Sequence, residues 1–486
     1  MKEYEDLDKI PESSGKNDNQ QTMEMEEIDQ KITLFDSYVL AMMMLNNVTS
    51  QCVSYLPAYA SPGDEPFTNL ELDLGLTKTQ YGIMTGVTFA LINGVFSLAS
   101  GVIVDRLSRK YTMIVAGIFW GGLTIAQSFA INFVTIFIPR IVMEISVTAC
   151  GSVAISIISD YFAPKYRARA SSIYMLGLYI GVAGSSLALI SVKNIGWRNT
   201  YRIIGGISLL VTFFTIFIYE PVRGSYNNAA KKNQLKELTK SVSKCSRLYK
   251  SAKTVLSSPL FLILCAASAL RFFGGYASGF WQSKFFQNEF KEYQNEYSIL
   301  SALTILILGV SGSYTGGYLS DKFSKTRPQL QAFMGGIGAL IAFPFTVVAF
   351  TLSRNFWLSI FSNMAAYFPS EMWLGPTYAL VQNMFPAEIV GTAIAILSFF
   401  GGIAGAISNI LLGALGDALE TEDNGRIAGY LLTVCFAISY IGCAPLFIIA
   451  GILYKRFIIK ERKESIAEIK DSEIQEINKF SENSSN

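Results

Sequence analysis

The sequence contains no histidine, and charged residues make up only 16% of its 486 positions. The first absence removes the commonest general base and the commonest zinc ligand, which excludes histidine-dependent hydrolysis and histidine-ligated metal centres. The second sets the chain apart from soluble domains, in which about 25% of residues are charged. Neither sign dominates: 39 basic residues against 37 acidic ones leave a net charge of +2, so no global field draws the chain to nucleic acid. The six cysteines (Cys52, Cys150, Cys245, Cys265, Cys435 and Cys443) are scattered without a C-x-x-C spacing. They read as small buried hydrophobes rather than disulfides or metal ligands. No glycine run follows a strand or leads into Gly-Lys-Ser/Thr, so neither a nucleotide site nor any other cofactor is expected.

What is abundant is apolar surface, 51% of the chain. It is gathered into twelve runs, at about 36–59, 80–104, 111–130, 133–161, 169–191, 199–219, 258–286, 297–319, 329–351, 355–384, 390–415 and 427–455. Crossing about 30 Å of hydrocarbon takes about 20 such residues, so the expected fold class is an all-α membrane protein of twelve transmembrane helices. Residues 1–32 lack an apolar core and read as a disordered tail rather than a signal peptide, and 457–486 form a second polar tail.

Basic residues set the expected orientation. Arg106, Arg109 and Lys110 follow span 2, Lys165, Arg167 and Arg169 follow span 4, and Lys322, Lys325 and Arg327 follow span 8. The stretch from Arg223 to Lys253 adds nine bases against the single Glu237, all on that same side. Acids mark the opposite loops, with Asp64, Glu65, Glu71 and Asp73 after span 1 and Glu420, Glu422 and Asp423 after span 11. Both termini are therefore expected in the cytoplasm. The basic stretch divides the spans six and six, giving bundles at 33–222 and 256–456 joined by a linker at 223–255.

The halves repeat. Gly101, Asp105, Arg106, Ser108 and Arg109, followed by Lys110, close span 2, and Gly317, Asp321, Lys322, Ser324 and Lys325 recur 216 residues later at the same spacing. A parallel repeat of six-helix halves builds one architecture of secondary transporters, with the substrate between the halves near the midplane.

This Gly-x-x-x-Asp-Arg-x-x-Arg-Lys segment resembles the loop signature of the major facilitator superfamily, with Ser108 and Ser324 standing where the family has glycine. The resemblance covers nearly the whole chain. It implies two pseudo-symmetric six-helix bundles and a cytoplasmic gate built from the repeated charges. Several stretches are similar to spinster-type lysolipid transporters: Trp120, Asp160 to Pro164 with Arg167 and Arg169, Gly196-Trp197-Arg198, and Glu220-Pro221-Val-Arg223-Gly224. Two departures bear on coupling. The Asp-Arg pair of span 1 is replaced by the uncharged stretch from Asn46 to Gln51, and the span-4 glutamate position is Val147.

Ionisable groups at membrane depth cost a few kcal/mol each and mark cavities or pairs. Arg140 and Glu144 stand four apart on one face of span 4, Arg271 lies midway along span 7, and Glu371 midway along span 10. In the family these spans, with span 1, line the central cavity. Glu144 is either a proton acceptor biased by Arg140 or half of a permanent ion pair. Arg271 either anchors an anionic head group or pairs with Glu371. Asn47, Gln51, Tyr276, Trp281, Asn363 and Tyr367 are neutral cavity candidates. The expected activity is transport, not catalysis, by a monomer in the lipid bilayer. Its substrate would be an amphiphilic organic anion or lysolipid, or else a sugar or organic acid, with a proton as candidate co-substrate. A receptor or scaffold that kept the fold without transport is the alternative outside that class.

Overall fold

A computed structural model of the chain describes residues 33–60, 65–97, 108–162, 164–220, 244–324, 326–352, 354–419 and 424–484. Among these residues the structure is helical, with no strand. The long helices are α1 (Leu34–Tyr55), α2 (78–97), α3 (Arg109–Gln127), α4 (Phe133–Tyr161), α5 (Pro164–Ile195), α6 (Trp197–Thr215), α7 (Pro259–Glu289), α8 (294–324), α9 (Leu330–Leu352), α10 (356–384), α11 (Ala387–Ala418) and α12 (Asn424–Ser484). These are the twelve expected spans, in two bundles of six. Seven stretches of described residues are long and apolar enough to cross a membrane by length and composition alone, one of them, Arg169–Thr215, holding both α5 and α6.

The distribution of side chains fits a protein dissolved in lipid. Ile203, Ile207, Leu210, Phe213 and Phe214 of α6 point outward, while Asn46, Thr49, Ser50, Ser54, Thr85 and Thr88 are buried. Outside water, an exposed leucine costs nothing and a polar group must find a partner. The buried hydroxyls do so within their own helices, as in Thr85 to the Tyr81 carbonyl at 3.0 Å and Thr212 to the Ser208 carbonyl at 2.8 Å. Helix starts are capped in the usual way, by Thr33 with Asp36, Thr77 with Gln80 and Asn132 with Thr135.

Four stretches widen into π-type turns, Gly86–Ile92, Ser278–Gln282, Thr304–Gly309 and Val348–Leu352. Such turns mark functional positions in many helices. Helix α10 breaks at Met372 and Trp373, where the Met372 N–H turns back to the Pro369 carbonyl.

Small residues set the packing. Within the first half, a Cβ on Gly181 of α5 would lie 2.5 Å from the Val48 carbonyl oxygen of α1. Between the halves, a Cβ on Gly82 of α2 would lie 2.3 Å from the Asn409 carbonyl oxygen of α11, and one on Gly402 would lie 2.4 Å from that of Ala90. The backbones of α2 and α11 therefore touch. Helices α5 and α8 also cross between the halves, where Ser186 and Ser298 exchange bonds, each hydroxyl donating to the other's carbonyl at 3.0 and 2.7 Å. The α1–α2 and α5–α6 connections and the ends of α7 and α11 share one end of the molecule, the acidic-loop end.

At that end the α1–α2 connection is tied to α6. Asp73 accepts from Trp197 Nε1 and from Arg198 Nε, both at 2.9 Å, and Arg198 also donates to the Ser128 carbonyl at 2.8 Å. Trp197 is wholly buried. Asp73→Ala should destabilise the detergent-solubilised protein by about 1–2 kcal/mol, since it strands the indole N–H and the guanidinium together. Asp73→Asn, which keeps an acceptor, should lower the thermal unfolding midpoint by less.

Candidate substrate site

Between the halves lies a cavity of about 340 Å³. Its walls come from α1, α2, α5, α7, α8, α9, α10 and α12, and the wide turns contribute Phe89, Ser278, Gln282 and Thr304 to it. Of the residues singled out from the sequence, Gln51, Arg271, Tyr276, Asn363, Tyr367 and Glu371 line this space. The sequence contained a signal for these charges, because ionisable residues are rare in apolar runs.

Arg271 is 4% exposed. Its Nη2 donates to the Ser370 carbonyl at 2.6 Å, an acceptor freed because α10 breaks just beyond it. The guanidinium also sits over two rings, 4.6 Å from the centre of Tyr440 and 5.5 Å from that of Trp373. Its Nε and Nη1 have no hydrogen-bond partner. Among the described residues Arg271 forms no ion pair with Glu371, the second of the two alternatives open from the sequence. Glu371 is half-buried on the cavity wall, one residue beyond the carbonyl that holds the arginine. The charged and titratable groups around it are Arg271 and the hydroxyls of Tyr55, Tyr179, Tyr367 and Tyr440.

Arg140 and Glu144 are placed differently. Both are wholly buried, and α4 contributes no residue to the cavity wall. Arg140 Nη2 lies 3.5 Å from Glu144 Oε1 and 2.5 Å from the Ser54 carbonyl, and its Nε donates to Thr88 Oγ1 at 3.2 Å. Ser54 Oγ donates to Glu144 Oε2 at 3.1 Å. The pair thus knits α4 to α1 and α2 inside the first bundle. Asn47 donates to the Tyr174 carbonyl at 2.9 Å beside a separate small pocket, and Trp281 lines another at the acidic-loop end.

The gate residues Gly101, Asp105, Arg106 and Lys325 lie outside the described residues. Arg109 is buried, with Nη1 2.5 Å from Asp160 Oδ2 and Nε 3.8 Å from Glu220 Oε1. Lys110 lies over the Tyr219 ring at 5.9 Å. Gly317, Asp321 and Lys322 sit near the end of α8, both charged side chains exposed.

Other cavity residues gave no sequence signal. Tyr55, stacked on Phe280 at 5.4 Å, Tyr179 and Tyr440 are ordinary aromatic residues in spans, and their convergence depends on packing. Lys284 of α7 was equally legible as an intramembrane charge and escaped notice because it stands close to the end of its apolar run.

Comparison with known proteins agrees with this architecture. The family model of the Major Facilitator Superfamily matches residues 37–409. The chain is 22% identical to an MFS-type efflux pump of Mycolicibacterium smegmatis, over 80% of this chain and 88% of that one. It is 24% identical to a hexuronate transporter of Bacillus subtilis, over 76% and 86%. Its fold is similar to the crystal structure of a bacterial homologue of the human lysosomal transporter Spinster, inward-facing and unoccupied. That match has a TM-score of 0.72 at 21% identity, over 87% of this chain and 98% of the other. With more than two thirds of its length matched by the family model and the twelve-helix fold in place, the chain belongs to the Major Facilitator Superfamily of membrane transporters.

Proposed function

We propose that this transporter carries a small organic anion, bound in the central cavity through Arg271. The observation that supports it is the guanidinium itself, buried on the cavity wall with Nε and Nη1 unpartnered. A buried unsatisfied donor costs about 1–3 kcal/mol, more when charged. Those two N–H groups lie on opposite sides of the guanidinium, and each offers one charge-assisted bond to a carboxylate, sulfonate or phosphate. Tyrosine rings and the polar side chains of Gln51, Asn363 and Thr304 suit a substrate with hydroxyl groups. The relative named as a hexuronate transporter is in keeping with a sugar acid. A lysolipid head group presents the same anion, and a substrate panel separates the two.

Charge balance favours a proton as co-substrate. Arg271 and Glu371 together sum to zero, so an incoming anion leaves the cavity at −1, costly in a medium of low dielectric. Protonating Glu371 restores neutrality. Glu371 is suited to this because it stands on the cavity wall, whereas Glu144 is sealed in its network. The basic-loop end would face the cytoplasm, together with both termini and the 223–255 linker, as the excess of Lys and Arg there predicts.

In proteoliposome counterflow, a panel of sugar acids, short carboxylates, sugar phosphates, neutral sugars and lysolipids should show flux for one of the small acids. Flux confined to lysolipids or neutral sugars, or none at all, overturns the reading. Arg271→Gln should raise the apparent KM for that acid roughly 10- to 100-fold, the worth of a charge-assisted bond. Glu371→Gln should preserve acid exchange while abolishing accumulation driven by a pH gradient. Glu144→Gln should lower thermal stability and leave the coupling intact; loss of coupling there, with Glu371→Gln unaffected, would reverse the assignment.

A further inference from the structure

The acidic-loop end of the cavity is closed by contacts between the halves that neither the substrate site nor the repeated loop motif uses. Helix α2 starts at Lys78, and its own N-cap, Thr77, reaches only the Gln80 N–H. The two preceding N–H groups are taken by the other half. Asp417, on the last turn of α11, accepts from Lys78 N at 2.9 Å through Oδ1 and from Thr79 N at 2.8 Å through Oδ2, with the Thr79 hydroxyl added at 2.5 Å. Capping of one helix is thus divided between its own residue and a carboxylate of the opposite bundle. The fit is tight, since a Cβ on Gly413 would lie 2.4 Å from the Lys78 carbonyl oxygen.

Beside this contact, Lys284 of α7 pairs with Glu71 in the α1–α2 connection. The ammonium is almost wholly buried, 3.4 Å from the centre of the Tyr81 ring and 4.7 Å from that of Trp281. Here too the partners come from opposite halves. Separating the halves at this end withdraws the acceptor from two helix-terminal N–H groups and the carboxylate from a desolvated ammonium in one movement.

We propose that Asp417 and Lys284 are positioning residues of the transport cycle, forming a two-part latch that holds the acidic-loop end shut and sets how often the cavity opens there. The latch acts on the equilibrium between the two facing states and leaves the cavity walls as they are. Each part contributes its bonds only when the end is closed, so removing either shifts the population toward the state open at that end. This inference is independent of what the cavity carries.

The test is a distance measurement between nitroxides at Leu72→Cys and Leu419→Cys, exposed sites on opposite halves. The otherwise unaltered protein should give mainly one short distance. Asp417→Asn and Lys284→Gln should each raise the ratio of long to short distances about tenfold, the effect of losing one charge-assisted bond. Thr79→Val, which deletes a single hydroxyl and threatens folding least, should shift the ratio in the same direction by less. Glu71→Gln should match Lys284→Gln. Unchanged distance distributions in these variants, whether or not transport falls, would overturn the latch.

Discussion

A guanidinium held at bilayer depth must be surrounded by acceptors and rings, and the second half of this transporter is organised around that requirement at Arg271. Desolvating such an ion costs several kcal/mol even after relaxation, so a bare arginine at the middle of α7 would not be tolerated. The compensation comes from two helices. Helix α10 breaks and presents the Ser370 carbonyl, α12 and the break itself supply the faces of Tyr440 and Trp373, and Glu371 brings a carboxylate to the same wall. What remains uncompensated, Nε and Nη1, opens the question of what else arrives there.

The first half meets the same problem away from the cavity. Arg140 and Glu144 also lie at membrane depth, where they pair with each other and with Ser54 and Thr88 within one bundle, leaving Arg140 Nη1 without a hydrogen bond. Two pseudo-symmetric halves thus use buried charge differently. In one it fastens helices together away from the cavity, and in the other it stands on the cavity wall. Between them, α2 and α11 meet backbone to backbone at Gly82, Gly402 and Gly413.

Much of this was readable from residue order. The apolar runs locate the helices to within a few residues, and span 4 coincides with Phe133–Tyr161, because length and hydropathy alone decide where a chain crosses lipid. Arg271 and Glu371 stand out because charge within such a run is rare. Other features were not readable. The charged stretch from Glu461 leaves room for a short helix of its own, but that it continues α12 unbroken to Ser484 carries no apolar signal. Spacing puts Arg140 and Glu144 on one face of α4, yet which way that face turns is set by packing against α1 and α2. The Ser370 carbonyl became an acceptor only through a break in α10, and a backbone atom leaves no mark in composition. Asp417 escaped notice because a carboxylate at the end of a span is what solvation alone would predict, and its role depends on the neighbouring half.

The central claim is that the unpartnered N–H groups of Arg271 are where the substrate's anion sits. The most direct measurement is an experimental structure with a transported acid bound. The account predicts an oxygen of its carboxylate, sulfonate or phosphate within hydrogen-bond distance of Arg271 Nε or Nη1, with the remainder of the molecule among the cavity tyrosines. An acid bound in the cavity with its anionic group away from Arg271, while Nε and Nη1 stay unpartnered, would contradict it.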